Sequence, residues 1–188
     1  MAAQQRLAFL AEASALLATS LDPQVTLDQI AWLAVPKLAD ICLVLLAEGG
    51  ELRPAAIAYK DTGNREPLDH LLAGHPWKVD ADGVFCDALR AGRSRLWTEL
   101  GDDIFTGAEQ GDHRLARLHE LDLASGMLVP LVGREERLGM IAFGRQRDGR
   151  AYAAADISLA EDLAVRAGTA LDTARRFDNL ASRLSEPS

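Results

Sequence analysis

The amino-acid sequence predicts an α+β fold with a central antiparallel β-sheet flanked by helices. Two apolar runs, residues 127–132 and 138–143, flank a short charged turn that begins at Gly133, which is the pattern of a β-hairpin. Both runs are apolar on both alternating faces, whereas an antiparallel pair with one wet face alternates with polar residues. Strand–helix–strand repeats are absent, so a doubly wound parallel sheet is not expected. Something apolar therefore covers each face of the predicted sheet.

The N-terminal part, residues 1–36, predicts two helices. Leucines over residues 7–21 recur at helical spacings and give the first helix a single apolar stripe. Asp22 and Pro23 open the second helix, because aspartate is a favoured N-cap and proline fits the first helical position. Pro36 marks the end of this helix.

Residues 37–146 are predicted to contain the sheet and the elements that cover it. The apolar run 41–47 ends at a pair of glycines and predicts a strand, with residues 52–59 as its hairpin partner. Pro54 indicates an edge position or a bulge, because proline cannot donate a hydrogen bond to the ladder. Towards the central hairpin the pattern predicts a helix over 67–72, a loop over 75–83, a helix over 84–91, a short strand over 95–98, a polar loop over 101–111 and a helix over 113–121.

Residues 153–184 predict a single helix of about thirty residues, much longer than the ~12 residues of an average globular helix. Two apolar seams run along it. The first comprises Ile157, Ala160, Ala164, Ala167, Leu171 and Ala174, and the second comprises Leu163, Ala170, Phe177, Leu180 and Leu184. We expect one seam to pack on the sheet and the other to form a parallel homodimer through the terminal helices; the alternative is that both seams pack within one chain. The whole chain, residues 1–188, is expected to form one domain.

The composition limits the classes of partner. The 188 residues carry a formal net charge of -8, and the isoelectric point is near 5.0. Lysine occurs only at Lys37, Lys60 and Lys78, so no nucleic-acid partner and no membrane partner is expected. No apolar run reaches the roughly 20 residues of a membrane span, and the N terminus leads into a helix rather than a secretion signal. A cytoplasmic protein is therefore expected.

Motifs of common enzyme and metal sites are missing from the sequence. It contains no glycine-rich phosphate loop, no Gly-x-Ser-x-Gly turn and no His-Glu-x-x-His pair. His113 and His119 are six residues apart, and His70 and His75 are five apart, whereas two metal ligands on one helix need a spacing of three or four. We therefore expect neither a metal site nor catalysis.

Four segments carry a resemblance to a known family. They are Ala39–Cys42 at the start of the first strand, Asp87–Ser94 at a helix end, Ser125–Leu131 with Arg137–Gly139 in the central hairpin, and Asp156–Leu171 in the closing helix. In order and spacing they resemble GAF domains, the ligand-sensing modules of signalling proteins, and in particular bacterial ones attached to serine phosphatases or histidine kinases. The resemblance spans residues 5–180. It implies that the N- and C-terminal helices pack together on one face of the sheet and that a small-molecule pocket lies on the other.

This resemblance implies a non-catalytic sensory module that binds a small molecule and transmits a signal through its terminal helices to a phosphatase or kinase output domain, or to a partner. The ligand is unknown. The candidate pocket residues are mostly apolar with one or two polar groups, as in many ligand sites, and core packing is their alternative role. They are Val84, Phe85, Trp97, His113, Leu118, His119, Met127, Val129 and Phe143. Two other functions stay open: a structural dimerisation module with a collapsed pocket, and a haem or redox sensor that uses His113, His119 or Cys86.

The residues present narrow the chemistry that the resemblance implies. Free methionine sulfoxide reductases of this family need reactive cysteines, but Phe85 stands where the thiol is expected, and no second cysteine lies between Cys86 and the central hairpin. The Cys–His pair that anchors a bilin corresponds here to His113 and Arg114, so no covalent bilin is expected. The Asn-Lys…Phe…Asp-Glu pattern of cyclic-nucleotide GAF domains is not found.

Overall fold

The computed structural model describes residues 1–63, 65–105 and 116–185, without the side chains of residues 103 and 105. Five α-helices and six β-strands are found in this part of the chain. In chain order they are α1 (Ala3–Leu17), α2 (Pro23–Ala34), β1 (Ile41–Glu48), β2 (Glu51–Tyr59), α3 (Glu66–Ala73), β3 (Trp77–Lys78), α4 (Val84–Ala91), β4 (Arg95–Trp97), β5 (Leu123–Val132), β6 (Arg137–Gln146) and α5 (Ala154–Ser185). Two 3-10 segments, Asp102–Phe105 and Ala116–Leu121, lie between β4 and β5.

The strands form one antiparallel sheet in the order β3-β2-β1-β6-β5-β4. The central hairpin is β5–β6, in which Val129 pairs with Ile141, and Ile141 pairs on its other side with Val44 of β1. The predicted α+β class and its antiparallel sheet are thus confirmed. The hairpin extends beyond the predicted runs at the end away from its turn, because pairing continues through the more polar residues 123–126 and 144–146.

The capping and turn residues act as the sequence predicts. The Asp22 side chain accepts a hydrogen bond of 3.0 Å from the Val25 N–H at the start of α2. Gly92 follows α4 with φ +63, the left-handed conformation that glycine adopts without a steric penalty. Opposite Pro54 the register shifts between Val44 and Leu45, which is the predicted bulge.

Two of the predicted local elements are wrong in type. Residues 75–83 were expected to be a loop, but Trp77 and Lys78 pair with Leu52 and Glu51 as strand β3. The helix expected over 113–121 is a 3-10 segment over its described part, Ala116–Leu121. The rest of that helix, residues 113–115, and residues 106–111 of the predicted polar loop lie outside the described residues.

Helices cover both faces of the sheet, as two separate apolar clusters show. On one face, α1, α2 and α5 pack against side chains such as Val44, Val129 and Ile141. On the other, α3 and α4 pack against side chains such as Leu43, Leu128 and Met140. Neighbouring residues of a strand therefore serve opposite clusters, which explains why the hairpin is apolar at every position.

The terminal helices α1 and α5 lie side by side on the first face and run parallel. Near their N-terminal ends the Arg6 guanidinium contacts the Asp162 carboxylate at 2.6 Å. One to two turns further along, the Arg166 Nε donates to the Ser14 hydroxyl at 3.0 Å. The predicted packing of the two terminal helices on one face is therefore confirmed.

Both apolar seams of α5 are visible in the structure, but they are not equally buried. The small-residue seam packs on the sheet, with Ala160, Ala167 and Leu171 all fully buried. The second seam begins buried at Leu163. Its last three members are exposed, and these are Phe177 at 52%, Leu180 at 57% and Leu184 at 79%. Packing within one chain thus accounts for only part of the second seam.

An ion pair between the buried Asp156 and the exposed Arg150 lies at the start of α5. The Asp156 carboxylate accepts two hydrogen bonds from the Arg150 guanidinium, at 2.8 and 3.1 Å, and one of 2.7 Å from the Ala153 N–H. Burial raises the pKa of Asp156, but these hydrogen bonds outweigh it and hold the pKa below its usual value. Beside this pair, the Tyr152 hydroxyl donates to the Leu38 carbonyl at 2.9 Å.

None of the helices in the described part of the chain combines the length and apolar character of a membrane span.

Candidate ligand-binding pocket

An apolar cavity lies between the sheet and the α3–α4 side of the protein. It has a volume of about 70 Å³. Every described residue around it is apolar or glycine. The lining residues are Ile41, Leu43, Ile57, Leu68, Leu71, Val84, Phe85, Trp97, Leu100, Ile104, Leu118, Leu123, Gly126, Met127, Leu128, Ala142, Phe143 and Gly144. The cavity therefore has the apolar lining of a small-molecule site but few of the polar groups that usually orient a ligand.

Strands β1, β2, β5 and β6 supply the floor of the cavity. Leu43, Ala142 and Leu128 occupy directly paired positions on three neighbouring strands, so their side chains lie in one row on the same face. Ala142 stands in the middle of this row and is nevertheless only partly buried. Its short side chain leaves the space that the cavity occupies.

Helix α4 and strand β4 supply the walls. Phe85 lies on the buried face of the amphipathic α4, and its ring is 5.8 Å from the Trp77 ring at an interplanar angle of 57°. Trp97 of β4 is paired with Gly126 and is half-buried. The Arg95 guanidinium lies over the Trp97 ring, 5.3 Å from its centre. Packing against Trp77 thus holds the Phe85 ring, and a cation–π contact with Arg95 holds the Trp97 ring.

Four of the predicted pocket residues line the cavity and belong to the apolar cluster on its side of the sheet. They are Val84, Phe85, Trp97 and Leu118. Met127 and Phe143 also border the cavity, but their side chains belong to the cluster beneath the terminal helices.

Other predicted positions lie elsewhere. Val129 is fully buried in the cluster under α5 and does not border the cavity, because it lies on the opposite face from its neighbour Leu128. His119 lies at the surface with 61% of its side chain exposed, and its Nε2 is 2.6 Å from the Asp102 carboxylate. His119 is not among the described residues that line the cavity. His113 lies outside the described residues.

The residues that sequence reasoning missed come mainly from the sheet floor and from α3. Leu43, Leu128 and Ala142 form the floor, and Leu68 and Leu71 of α3 close one side. No residue type distinguishes the floor from the opposite face, since both faces carry leucine, isoleucine and methionine. The amphipathic pattern of α4, which places Phe85 on its buried face, is a signal that the sequence does contain.

The two cysteines lie in different apolar clusters on opposite faces of the sheet. Cys42 is fully buried under the terminal helices, and burial raises the pKa of its thiol. Cys86 is buried beside the cavity, and its Sγ donates to the Lys78 carbonyl oxygen at 3.4 Å. Their separation by the sheet rules out a disulfide between them in this conformation. Within the described ranges, no cluster of three or more His, Cys, Asp or Glu side chains is placed to hold a metal ion.

Comparisons with known proteins agree with this architecture. A family model described as a GAF domain matches residues 20–172. No curated protein sequence matches the chain. Among solved structures, the GAF domain of a phosphoenolpyruvate-protein phosphotransferase from Coxiella burnetii is similar, with a TM-score of 0.73 at 14% identity, covering 95% of this chain and 99% of that one.

Two further solved structures show how widely the same fold is used. A GAF domain/HD domain protein from Geobacter sulfurreducens is similar at a TM-score of 0.65 and 17% identity, covering 86% of this chain and 99% of that one. A free methionine-R-sulfoxide reductase from Neisseria meningitidis, solved with its substrate, reaches a TM-score of 0.66 at 15% identity, covering 94% and 96% of the two chains. At these identities the likeness is one of fold.

Proposed function

We propose, because this chain belongs to the GAF domain family, that it is a non-catalytic sensory module which binds a small molecule in the cavity between the sheet and the α3–α4 side. The observation that carries the proposal is the apolar cavity itself, with Ala142 short at its floor and Trp97 in its wall. The fold is also used by a reductase. Here no ionisable side chain is among the described lining residues, so no described group there serves as a nucleophile or general acid.

We expect a panel of metabolites to contain compounds that raise the melting temperature and change the tryptophan fluorescence, since a ligand that binds the folded state stabilises it by mass action. Ala142→Leu fills the floor of the cavity and is expected to abolish both responses. Ala47→Leu is the matched control, because Ala47 lies on the same strand face as Leu43 and Leu45, is partly buried, and does not line the cavity. A response that survives in Ala142→Leu, or no response to any compound in the wild type, would contradict ligand sensing at this cavity. The latter outcome favours a structural dimerisation module.

The signal is proposed to leave through the terminal helices in a parallel homodimer. Leu7 and Val165 are exposed along the paired helices α1 and α5, and Phe177, Leu180 and Leu184 extend the apolar surface beyond the sheet. An exposed seam of this kind on a long helix is what a second copy would cover. The partner at the end of the signalling route is proposed to be a phosphatase or kinase output domain, or a separate protein, in the cytoplasm.

The dimer predicts a mass of two chains in light scattering at micromolar concentration. Phe177→Glu combined with Leu180→Glu is expected to reduce it to one chain, because two like-charged patches then face each other. Asn179→Ala changes an exposed polar residue on the same turn and is expected to leave the mass at two chains. A wild-type mass of one chain would remove this part of the proposal.

A further inference from the structure

We infer that the cavity selects a compact, uncharged, apolar ligand and rejects charged molecules of the same size. This inference rests on the proposed function and names its ligand class. The first observation is the lining, in which the described side chains that face the cavity contribute only carbon and the indole nitrogen of Trp97. An indole N–H is a hydrogen-bond donor only. The described wall thus offers no side-chain acceptor to a ligand ammonium and no cation to a ligand carboxylate.

The backbone of the central floor strands β1, β5 and β6 is also used in hydrogen bonds of the sheet. Residues 41–46 of β1 pair with β2 on one side and with β6 on the other. β6 lies between β1 and β5, and β5 is paired with β4 over residues 126–128. Because the N–H and C=O groups of these central strands are used in the sheet, a polar ligand group over the floor finds no free partner there.

A charged group moved against the described wall would lose its hydration, and no described lining side chain carries an opposite charge to compensate for that loss. An isolated charge in an apolar environment is strongly disfavoured and neutralises or stays out. The charged side chain of Arg95 lies over the Trp97 ring and is not among the lining residues. Its exposed position keeps it in water, where it attracts an anion only weakly.

The volume sets the size of the ligand. A water molecule needs roughly 10–15 Å³ by the same measure, so a cavity of about 70 Å³ corresponds to about five to seven water-sized molecules. Aromatic walls at Phe85 and Trp97 favour a flat ring that stacks or meets them edge to face. Single-ring compounds therefore match both the space and its lining.

Three single-ring probes of similar size test the inference: toluene, benzoate and benzylamine at neutral pH. Calorimetry and tryptophan fluorescence on the full chain are expected to show toluene binding, with benzoate and benzylammonium at least about a hundredfold weaker, the order expected for burying an unpaired charge. Ala142→Leu is expected to abolish toluene binding, and Ala47→Leu to preserve it.

The outcomes separate this inference from the proposed function. Benzoate or benzylamine binding as tightly as toluene, and lost in Ala142→Leu, would overturn the ligand class while leaving a sensing cavity in place. Failure of all three probes, together with a metabolite that binds in the wild type but not in Ala142→Leu, would also overturn the ligand class alone. Failure of the probes and of the whole metabolite panel would overturn both.

Discussion

Gly139→Ala is expected to lower the free energy of unfolding by about 4 kcal/mol or more, a large share of the roughly 5–15 kcal/mol of an ordinary domain. Gly139 has φ +156, and a Cβ placed there would lie 1.9 Å from the Leu45 carbonyl oxygen and 3.0 Å from the Leu46 Cα. The obstacle is the backbone of β1, which is paired on both sides at the centre of the sheet and cannot rotate away as a side chain does.

Urea unfolding followed by circular dichroism measures this effect, with Gly126→Ala as the matched control. Gly126 is also a buried glycine of the central hairpin, but its Cβ would meet neighbours at 3.4 Å, an ordinary contact. That substitution is expected to change the free energy of unfolding by less than about 1 kcal/mol. Equal stability of Gly139→Ala and the wild type would show that β1 and β6 are not packed as closely as described.

The parts of the fold that the sequence predicts well are those specified by local chemistry. Asp22 caps its helix, Gly92 ends another, and Pro54 lies at a bulge, because each effect depends on one residue and its near neighbours. Strand β3 has no such local signal. Its two residues become a strand only because β2 offers them a free edge, and a partner distant in sequence cannot be read from residues 75–83.

The pocket residues depend on tertiary packing, which local sequence patterns do not specify. The sequence identifies that both faces of the hairpin are covered, yet it does not say which face meets the terminal helices. Val129 and Leu128 are adjacent and equally apolar, and a difference of one position places them in opposite clusters. Phe85 lies on the buried face of α4, on the pocket side of the sheet, whereas Trp97 comes from the edge strand β4. His119 is exposed and contacts the Asp102 carboxylate, and no spacing rule reveals this position.

Gly168→Ala is expected to lower the free energy of unfolding by about 2–3 kcal/mol, although the same substitution in an exposed helix normally raises it by about 0.5–1 kcal/mol. The sign is reversed because a Cβ on Gly168 would lie 2.1 Å from the Val132 carbonyl oxygen and 2.9 Å from its carbon. Helix α5 therefore rests directly on the end of β5. Asp172 lies one turn after Gly168 on α5, and a Cβ at Gly133 would lie 3.1 Å from its carboxylate. The end of the central hairpin therefore contacts α5 at two successive turns.

Thr169→Ala is the control, since Thr169 is the next residue on α5 and is exposed. This substitution is expected to leave the free energy of unfolding unchanged or to raise it by up to about 0.5 kcal/mol. Hydrogen exchange gives a second readout. In Gly168→Ala the amides of α5 beyond residue 168 are expected to exchange faster, while those of the β1–β2 hairpin change little, because the lost contact lies between α5 and β5. Equal exchange throughout both elements, or a stability gain matching the helix propensity, would mean that the hairpin end does not support α5. The proposed signal would then have to reach the terminal helix by a route other than this contact.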